Sequence, residues 1–322
     1  MSEDQPNDPE SEPTGEGGSD EGDASDADEL LVPPQTPFFH TVNLARYRRQ
    51  ELIKAIQRRT GRRLICYVSE TAPLVRDDVV PLMDLLHQVP VGTNIDFLLN
   101  TTGGDVSTAD KMARILRRRV GSTAGALRVI VPDYAKSAGT LLALGADTIV
   151  MSDSSELGPI DPQIITRQSD GQFIQRPAHT YVDSYEALAE KIRNPKSYED
   201  GKNTDAEKQL LAAFDAPQLN LCRQLIERSR QLAEALLKQG MLQDGSYTKV
   251  AGDLTNNDLW LSDHGAVIDS QDAQAMGLHV EYMGPNCNEW QAFWRLYCEQ
   301  RFSLGPDHTK LFESDYASLP FS

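Results

Sequence analysis

The sequence predicts an α/β fold built on a mainly parallel sheet, with further helices toward the C-terminus. Three observations lead there. Between residues 63 and 151, short apolar runs of strand length alternate with amphipathic stretches of helix length. The stretches between the runs are long enough for the crossover helices that parallel strands require. Two consecutive apolar runs lead into turns of small residues, Asn100-Thr101-Thr102-Gly103-Gly104-Asp105 and Lys136-Ser137-Ala138-Gly139.

Residues 1–36 come before this pattern. They are rich in Ser, Gly, Pro, Asp and Glu and almost free of apolar side chains before Leu30. Such a segment cannot bury enough surface to offset its ordering entropy, so a disordered acidic tail is expected. Residues 1–30 hold twelve acidic residues and no Lys or Arg; without those twelve, the chain's formal net charge would be −5 rather than −17. The acidity belongs to the tail and says little about a substrate. Residues 37–62 carry a basic amphipathic helix, with Arg46, Arg48, Arg49, Lys54, Arg58 and Arg59 around Leu44, Leu52, Ile53 and Ile56. Its basic face is expected to be solvated while its apolar face packs on the core, and no nucleic-acid partner is expected.

Residues 63–69 read as a first strand and 79–87 as a helix. A buried strand is expected at 94–100, then a helix at 107–119 capped by Ser107 or Thr108, with Asp105 as a helix-start residue facing the macrodipole. Residues 127–132 read as the next buried strand, 139–145 as a short apolar helix and 148–151 as another strand. Beyond Gly158 the periodicity weakens. Helices are expected at 185–192 and at 205–239, the second interrupted near Pro217, and at 270–276 with Gly277 closing it. The aromatic residues Trp290, Phe293, Trp294, Tyr297 and Phe302 predict a C-terminal helix that packs on the body or on a neighbouring subunit.

No run approaches the roughly 20 apolar residues that span a bilayer. The polar, acidic N-terminus is the opposite of a signal peptide. Cys66, Cys222, Cys287 and Cys298 show no C-x-x-C spacing. A reducing, cytoplasmic compartment and no zinc site are expected. No G-x-G-x-x-G follows a strand, so no dinucleotide cofactor is implied.

In a parallel sheet the C-terminal strand ends gather on one edge, where sites form. The turn at Gly103-Gly104 and the turn at Ser137 are then neighbours. Ser137 has the placement a nucleophile needs: at a strand-to-helix junction, flanked by small residues. The N–H groups of Gly103 and Ala138 are positioned to bind an oxyanion together. The same local pattern also fits a packing turn in which Ser137 is a helix N-cap.

Four motifs in order give the chain a resemblance to a known family. Asn100-Thr101-Thr102-Gly103-Gly104-Asp105-Val106 resembles the glycine-pair turn of the Clp-protease/crotonase superfamily, and Lys136-Ser137-Ala138-Gly139-Thr140 its serine-nucleophile element. The run from Ser155 to Gln163, Ser-Glu-Leu-Gly-Pro-Ile-Asp-Pro-Gln, closely resembles the serine dehydrogenase proteinase family, a soluble relative of signal peptide peptidase A. His264-Gly265-Ala266-Val267-Ile268-Asp269, with Ala273 and Gly277-Leu278, is similar to the closing motif of that group. The resemblance covers about 63–285 and leaves an aromatic-rich extension at 286–322. It implies a Clp/crotonase-type fold of stacked ββα units, a serine peptidase acting on protein or peptide substrates, and assembly into rings or stacked oligomers.

The resemblance also implies roles: Ser137 as nucleophile, Gly103 and Ala138 as oxyanion donors, no metal and no organic cofactor. A Clp-type triad would need a histidine soon after Asp161, and no histidine occurs between Ser137 and His179. Relatives of signal peptide peptidase A use a downstream lysine, for which Lys191 ranks first and Lys196 second. A lysine base must be neutral, which burial promotes. Lys191 sits in Glu190-Lys191-Ile192-Arg193, which reads as a solvated face. His179 and His264 are the other candidates, and Asp161 reads as a rigid loop element. Two further classes stay open: a catalytically silent oligomeric scaffold, and a crotonase-type acyl-CoA enzyme with the same oxyanion turns.

Overall fold

A computed structural model describes residues 36–121, 123, 125–167, 171–194, 205–256, 259–260 and 265–322. The predicted acidic tail lies outside the described residues except for Thr36. The chain divides into two compact units, Met1–Leu44 and Ala45–Ser322. In the first, helix α1 (Pro37–Val42) starts with Pro at its first turn, and Thr36 Oγ1 accepts the N–H of Phe39 at 3.3 Å. A Ser or Thr cap followed by Pro is a standard helix start.

From α2 (Leu44–Thr60), whose residues after Leu44 belong to the second unit, the chain runs through β1 (Arg63–Ser69), a 3-10 turn (Arg76–Asp78), α3 (Val79–Leu85), β2 (Ile95–Asn100), α4 (Val106–Val120) and β3 (Leu127–Ile130). It continues through β4 (Tyr134–Ala135), α5 (Ala138–Leu144), β5 (Thr148–Met151), β6 (Glu156–Leu157), β7 (Gln163–Arg167) and β8 (Phe173–Pro177). Then come α6 (Ala178–Arg193), α7 (Asp205–Ala212), α8 (Ala216–Gln239), α9 (Tyr247–Leu254), α10 (Ser270–Met276), β9 (Val280–Tyr282), α11 (Asn288–Phe302), β10 (Lys310–Glu313) and β11 (Ser318–Phe321).

A seven-stranded sheet has the order β11-β10-β1-β2-β3-β5-β9. β1, β2, β3, β5 and β9 are parallel, and β10 and β11 extend the β1 edge antiparallel. Successive strand residues point to opposite faces, and both faces are covered. On one face Ile65, Tyr67, Phe97, Leu99, Val129 and Ile149 pack against α3, α4, α5 and the C-terminal half of α8. On the other, Leu64, Cys66, Val68, Leu98, Ile130 and Val150 pack against Ile53 and Ile56 of α2 and against Trp290, Phe293, Leu296 and Tyr297 of α11. Of the terminal aromatics, Trp290, Phe293 and Tyr297 thus pack on the body with Trp294 partly buried beside them, whereas Phe302 is exposed. No described helix is long and apolar enough to cross a membrane.

The structure refines several sequence expectations. Asp105, rather than Ser107 or Thr108, caps α4: its carboxylate accepts the N–H of Ser107 at 3.4 Å and of Thr108 at 2.9 Å. A carboxylate serves here as both cap and dipole partner. The basic face of α2 is not wholly solvated. Arg49 is buried and donates to the buried Glu313 carboxylate of β10 at 2.9–3.1 Å. The predicted 205–239 helix is two helices, with Pro217 in the first turn of α8. The helix expected at 185–192 starts earlier, at Ala178.

Candidate active site

β2 and β3 run side by side and in parallel, so the turns that follow them meet at one edge of the sheet. The meeting is secured by backbone. Thr101 N–H donates to Tyr134 O and Lys136 N–H donates to Thr101 O, each at 3.0 Å. β4 in turn pairs in parallel with β6. The glycine-pair turn, the serine turn and the start of the Glu-Leu-Gly-Pro motif therefore form a small second layer at the sheet's C-terminal edge.

Gly103 and Ser137 are in direct apposition. Gly103 has φ +96°, and a Cβ placed on it would lie 2.6 Å from Lys136 O, 2.9 Å from Ser137 Cβ and 3.1 Å from Ala138 N. Only the absence of a side chain lets the two turns approach this closely. The sequence-predicted trio Ser137, Gly103 and Ala138 is thus brought together. The Gly103 N–H also donates to Thr101 Oγ1 at 3.2 Å. Ala138 opens α5, and the first N–H groups of a helix have no intrahelical acceptor.

Ser137 adopts φ 51°, ψ −113° and is the one non-glycine residue with positive φ among the described residues. It occupies the N-cap position of α5 but its side chain makes no capping hydrogen bond. A non-glycine residue in that region costs on the order of 1–3 kcal/mol and persists only where its surroundings enforce it. Here they do. Gly139 N–H donates to Lys136 O at 2.7 Å, and Thr140 Oγ1 donates within reach of Ala135 O at 2.7 Å and Gly158 O at 2.8 Å.

Ser137 opens on a cavity of about 580 Å3. Its floor is the turn from Thr102 to Val106 together with Ser137. Its wall is Asp161, Pro162 and Gln163, and its roof is Ile165 and Gln175 of the β7–β8 hairpin with Leu225 of α8. The hairpin, Ala178 and Cys222 share a small core of their own around Ile164. Asp161 is largely buried, and its Oδ2 accepts from Gln163 Nε2 at 2.8 Å.

Among the described residues, no lysine or histidine lines this cavity. Lys191 lies thirteen residues past the start of α6, about 20 Å along the helix axis at 1.5 Å per residue. That start is held beside the cavity wall, where Ala178 N–H donates to Pro162 O at 2.8 Å. His179 is the next residue, and its Nε2 is buried with no hydrogen-bond partner among the described residues. Lys136 points away from the cavity, toward Leu157 and Ala266. Lys196 and His264 lie outside the described residues. Among the described residues, no His, Cys, Asp and Glu cluster is arranged to hold a metal ion.

The doubly covered parallel sheet and the paired turns at its edge define a Clp-like α/β protein. The chain belongs to the ClpP-like SDH-type serine proteinase family, whose pattern matches residues 42–296. Two uncharacterized proteins of Methanocaldococcus jannaschii are similar to it. One is 29% identical over 48% of this chain and 53% of its own length; the other is 37% identical over 34% of each. The chain thus spans about half the length of one relative it matches and about a third of the other. Among solved structures it is similar to two forms of the 1510-N membrane-bound stomatin-specific protease. A serine-to-alanine mutant is 13% identical, over 65% of this chain and 89% of that chain, with a TM-score of 0.24. A lysine-to-alanine mutant in complex with a substrate peptide is 12% identical, over 69% and 89%, with a TM-score of 0.23.

Proposed function

We propose that the protein is a serine endopeptidase whose nucleophile is Ser137. The carrying observation is the strained backbone of Ser137 at an N-cap where its hydroxyl does no capping, directly against Gly103. In the proposed reaction Ser137 Oγ attacks a peptide carbonyl carbon as a base takes the hydroxyl proton. The amides of Ala138 and Gly103 receive the oxyanion, Gly103 exchanging its bond to Thr101 Oγ1 for one to substrate. The C–N bond breaks, the base returns its proton to the leaving amine, and water then releases the acyl group from Ser137. Peptides are the proposed substrates, and a homo-oligomer in the cytoplasm the proposed form.

Lys191 is the proposed base by family resemblance. Its position on α6 requires that it reach Ser137 through movement of that helix or from a second copy of the chain. A second reading assigns the base to His179, favoured by its buried, partnerless Nε2 one residue past the Ala178–Pro162 bond. A fluorophosphonate probe tests the nucleophile: wild type is expected to label and Ser137→Ala to lose labelling, whereas equal labelling of the two refutes the assignment. For the base, pH–rate profiles of Lys191→Ala and His179→Ala are compared. The true base loses about 100-fold or more and its limb of the profile, while the other variant keeps both.

A further inference from the structure

We infer that Lys136 is a positioning residue for the serine turn, and that Glu156-Leu157-Gly158 is its receptor. This rests on Ser137 being the nucleophile, but the observations stand apart from that role. Lys136 immediately precedes the strained serine, and its side chain leaves the cavity for the layer beneath. Its Nζ donates to Leu157 O at 3.2 Å and Ala266 O at 3.1 Å, and lies 3.1 Å from Glu156 Oε1. Two of the ammonium's donors meet backbone carbonyls and its charge meets a carboxylate, from two chain segments that are distant in sequence.

Each residue of the Glu-Leu-Gly run serves that ammonium in a different way. Glu156 supplies the opposite charge and Leu157 a carbonyl. Gly158 supplies space: a Cβ there would meet Lys136 Cδ at 2.7 Å and its Cα and Cβ at 3.5 Å. The Leu157 carbonyl also accepts the N–H of Ile268 at 3.1 Å, and Ile268 O accepts the N–H of Leu157 at 2.9 Å. The ammonium therefore welds the serine turn both to β6 and to the segment carrying Ala266 and Ile268. With the pin in place, the backbone on the N-terminal side of Ser137 cannot relax toward an ordinary φ. The lysine is held largely out of water, at 15% side-chain exposure, which protects the ion pair from screening.

Three variants test this. Lys136→Met removes the donors. Gly158→Ala leaves the lysine but fills the path of its stem. Glu156→Gln removes the charge and keeps both carbonyl acceptors. Two readouts are used: the rate of fluorophosphonate labelling, and amide hydrogen exchange in peptides covering 135–141 and 265–269. Lys136→Met and Gly158→Ala are each expected to slow labelling at least tenfold and to speed exchange in both peptides at least fivefold. Exchange in β2 should stay unchanged. Glu156→Gln is expected to produce smaller changes in the same sense. Wild-type labelling and exchange in Lys136→Met and Gly158→Ala would overturn the inference. So would an acceleration spread evenly over the sheet, which would mark a general loss of stability. If wild-type protein does not label at all, the peptidase reading fails, and the exchange pattern still decides the role of Lys136.

Discussion

The floor of the Ser137 cavity is held by buried backbone, whereas its roof is held by little. On the floor, Thr101, Ala135, Ala138 and Leu141 are fully buried, and the two turns are cross-linked by main-chain hydrogen bonds. On the roof, Ile165 and Phe173 of the β7–β8 hairpin are 71% and 73% exposed. Among the described residues, the roof's own core buries Ile164, Ala178 and Cys222, against dozens of residues in the main core. Elements with few buried contacts open at low free-energy cost, while elements tied into the main core open only near global unfolding. On the proposed reading, the chemistry is set on the rigid sheet edge and substrate contact is left to the element freer to adjust. Among the described residues, the floor itself carries no lysine or histidine.

A change that breaks the floor should therefore have the largest effect. Gly103→Ala puts a methyl 2.6 Å from Lys136 O and 2.9 Å from Ser137 Cβ, at a φ of +96° that alanine resists. The carbonyl belongs to cross-linked backbone and the Cβ is attached directly to the strained Ser137 backbone, so neither can yield cheaply. Fluorophosphonate labelling is expected to fall by about 100-fold or more, the scale of a lost oxyanion donor. Labelling at near the wild-type rate would mean that the floor is softer than its hydrogen bonds indicate.

The roof should respond differently. Ile165→Ser removes an apolar side chain that lines the cavity but is mostly in water in the free protein. Its burial is gained only when substrate binds. KM for an apolar peptide substrate is expected to rise roughly five- to tenfold with kcat unchanged, the signature of uniform binding lost. The melting temperature should hardly move. A drop in kcat would place Ile165 with the floor rather than the roof.

The same contrast governs what the sequence made legible. The floor was readable because parallel strands buried on both faces appear as continuous apolar runs, and because close approach demands glycine at 103. The hairpin was not. Gln163-Ile164-Ile165-Thr166-Arg167 and Phe173-Ile174-Gln175-Arg176-Pro177 expose most of one face, so their apolar residues follow no period that marks a strand. β10 was hidden for another reason. Its Lys310 and Glu313 are buried charges, which no hydrophobic pattern anticipates. Each is compensated from far along the chain, Lys310 by Asp78 at 2.9 Å and Glu313 by Arg49. The direction of Lys136 was legible only in part. Consecutive side chains point apart, but that Lys136 would end on Leu157 and Ala266 depends on pairing between distant segments.

The floor also has a titrating support. The Tyr297 hydroxyl donates to Asp133 Oδ2 at 2.7 Å, just ahead of the serine turn, and the Tyr134 hydroxyl donates to Glu70 O at 2.8 Å. Burial is the main reason that both phenols are pushed above the ordinary value of 10.0. The folded state therefore holds these protons more tightly than the unfolded chain. The stability linked to them is fully present below about pH 10 and is lost as pH rises through the folded values. Tyr297→Phe should cost about 1 kcal/mol at neutral pH for the lost hydrogen bond. It should also flatten the decline in stability above pH 10, measured by urea unfolding at pH 8 to 11. An unchanged alkaline slope would assign that decline to other groups.

The smallest effect is expected where roof meets floor. Arg228 Nη2 of α8 donates to Ser107 Oγ at 3.1 Å, in the first turn of the helix that leaves the glycine-pair turn. The bond is exposed, so its removal should change global stability by less than about 0.5 kcal/mol. Its local weight is greater, because α8 is anchored unequally. The C-terminal half is set in the main core through Ala233, Leu236 and Leu237, whereas the N-terminal half rests on the small roof core through Cys222 and Leu225. Arg228 lies between the two halves. Arg228→Ala is expected to speed hydrogen exchange two- to threefold in amides 218–226 and to leave 233–239 unchanged. Equal rates in both halves, before and after the substitution, would show that α8 moves as one rigid rod. The roof would then share the stability of the floor.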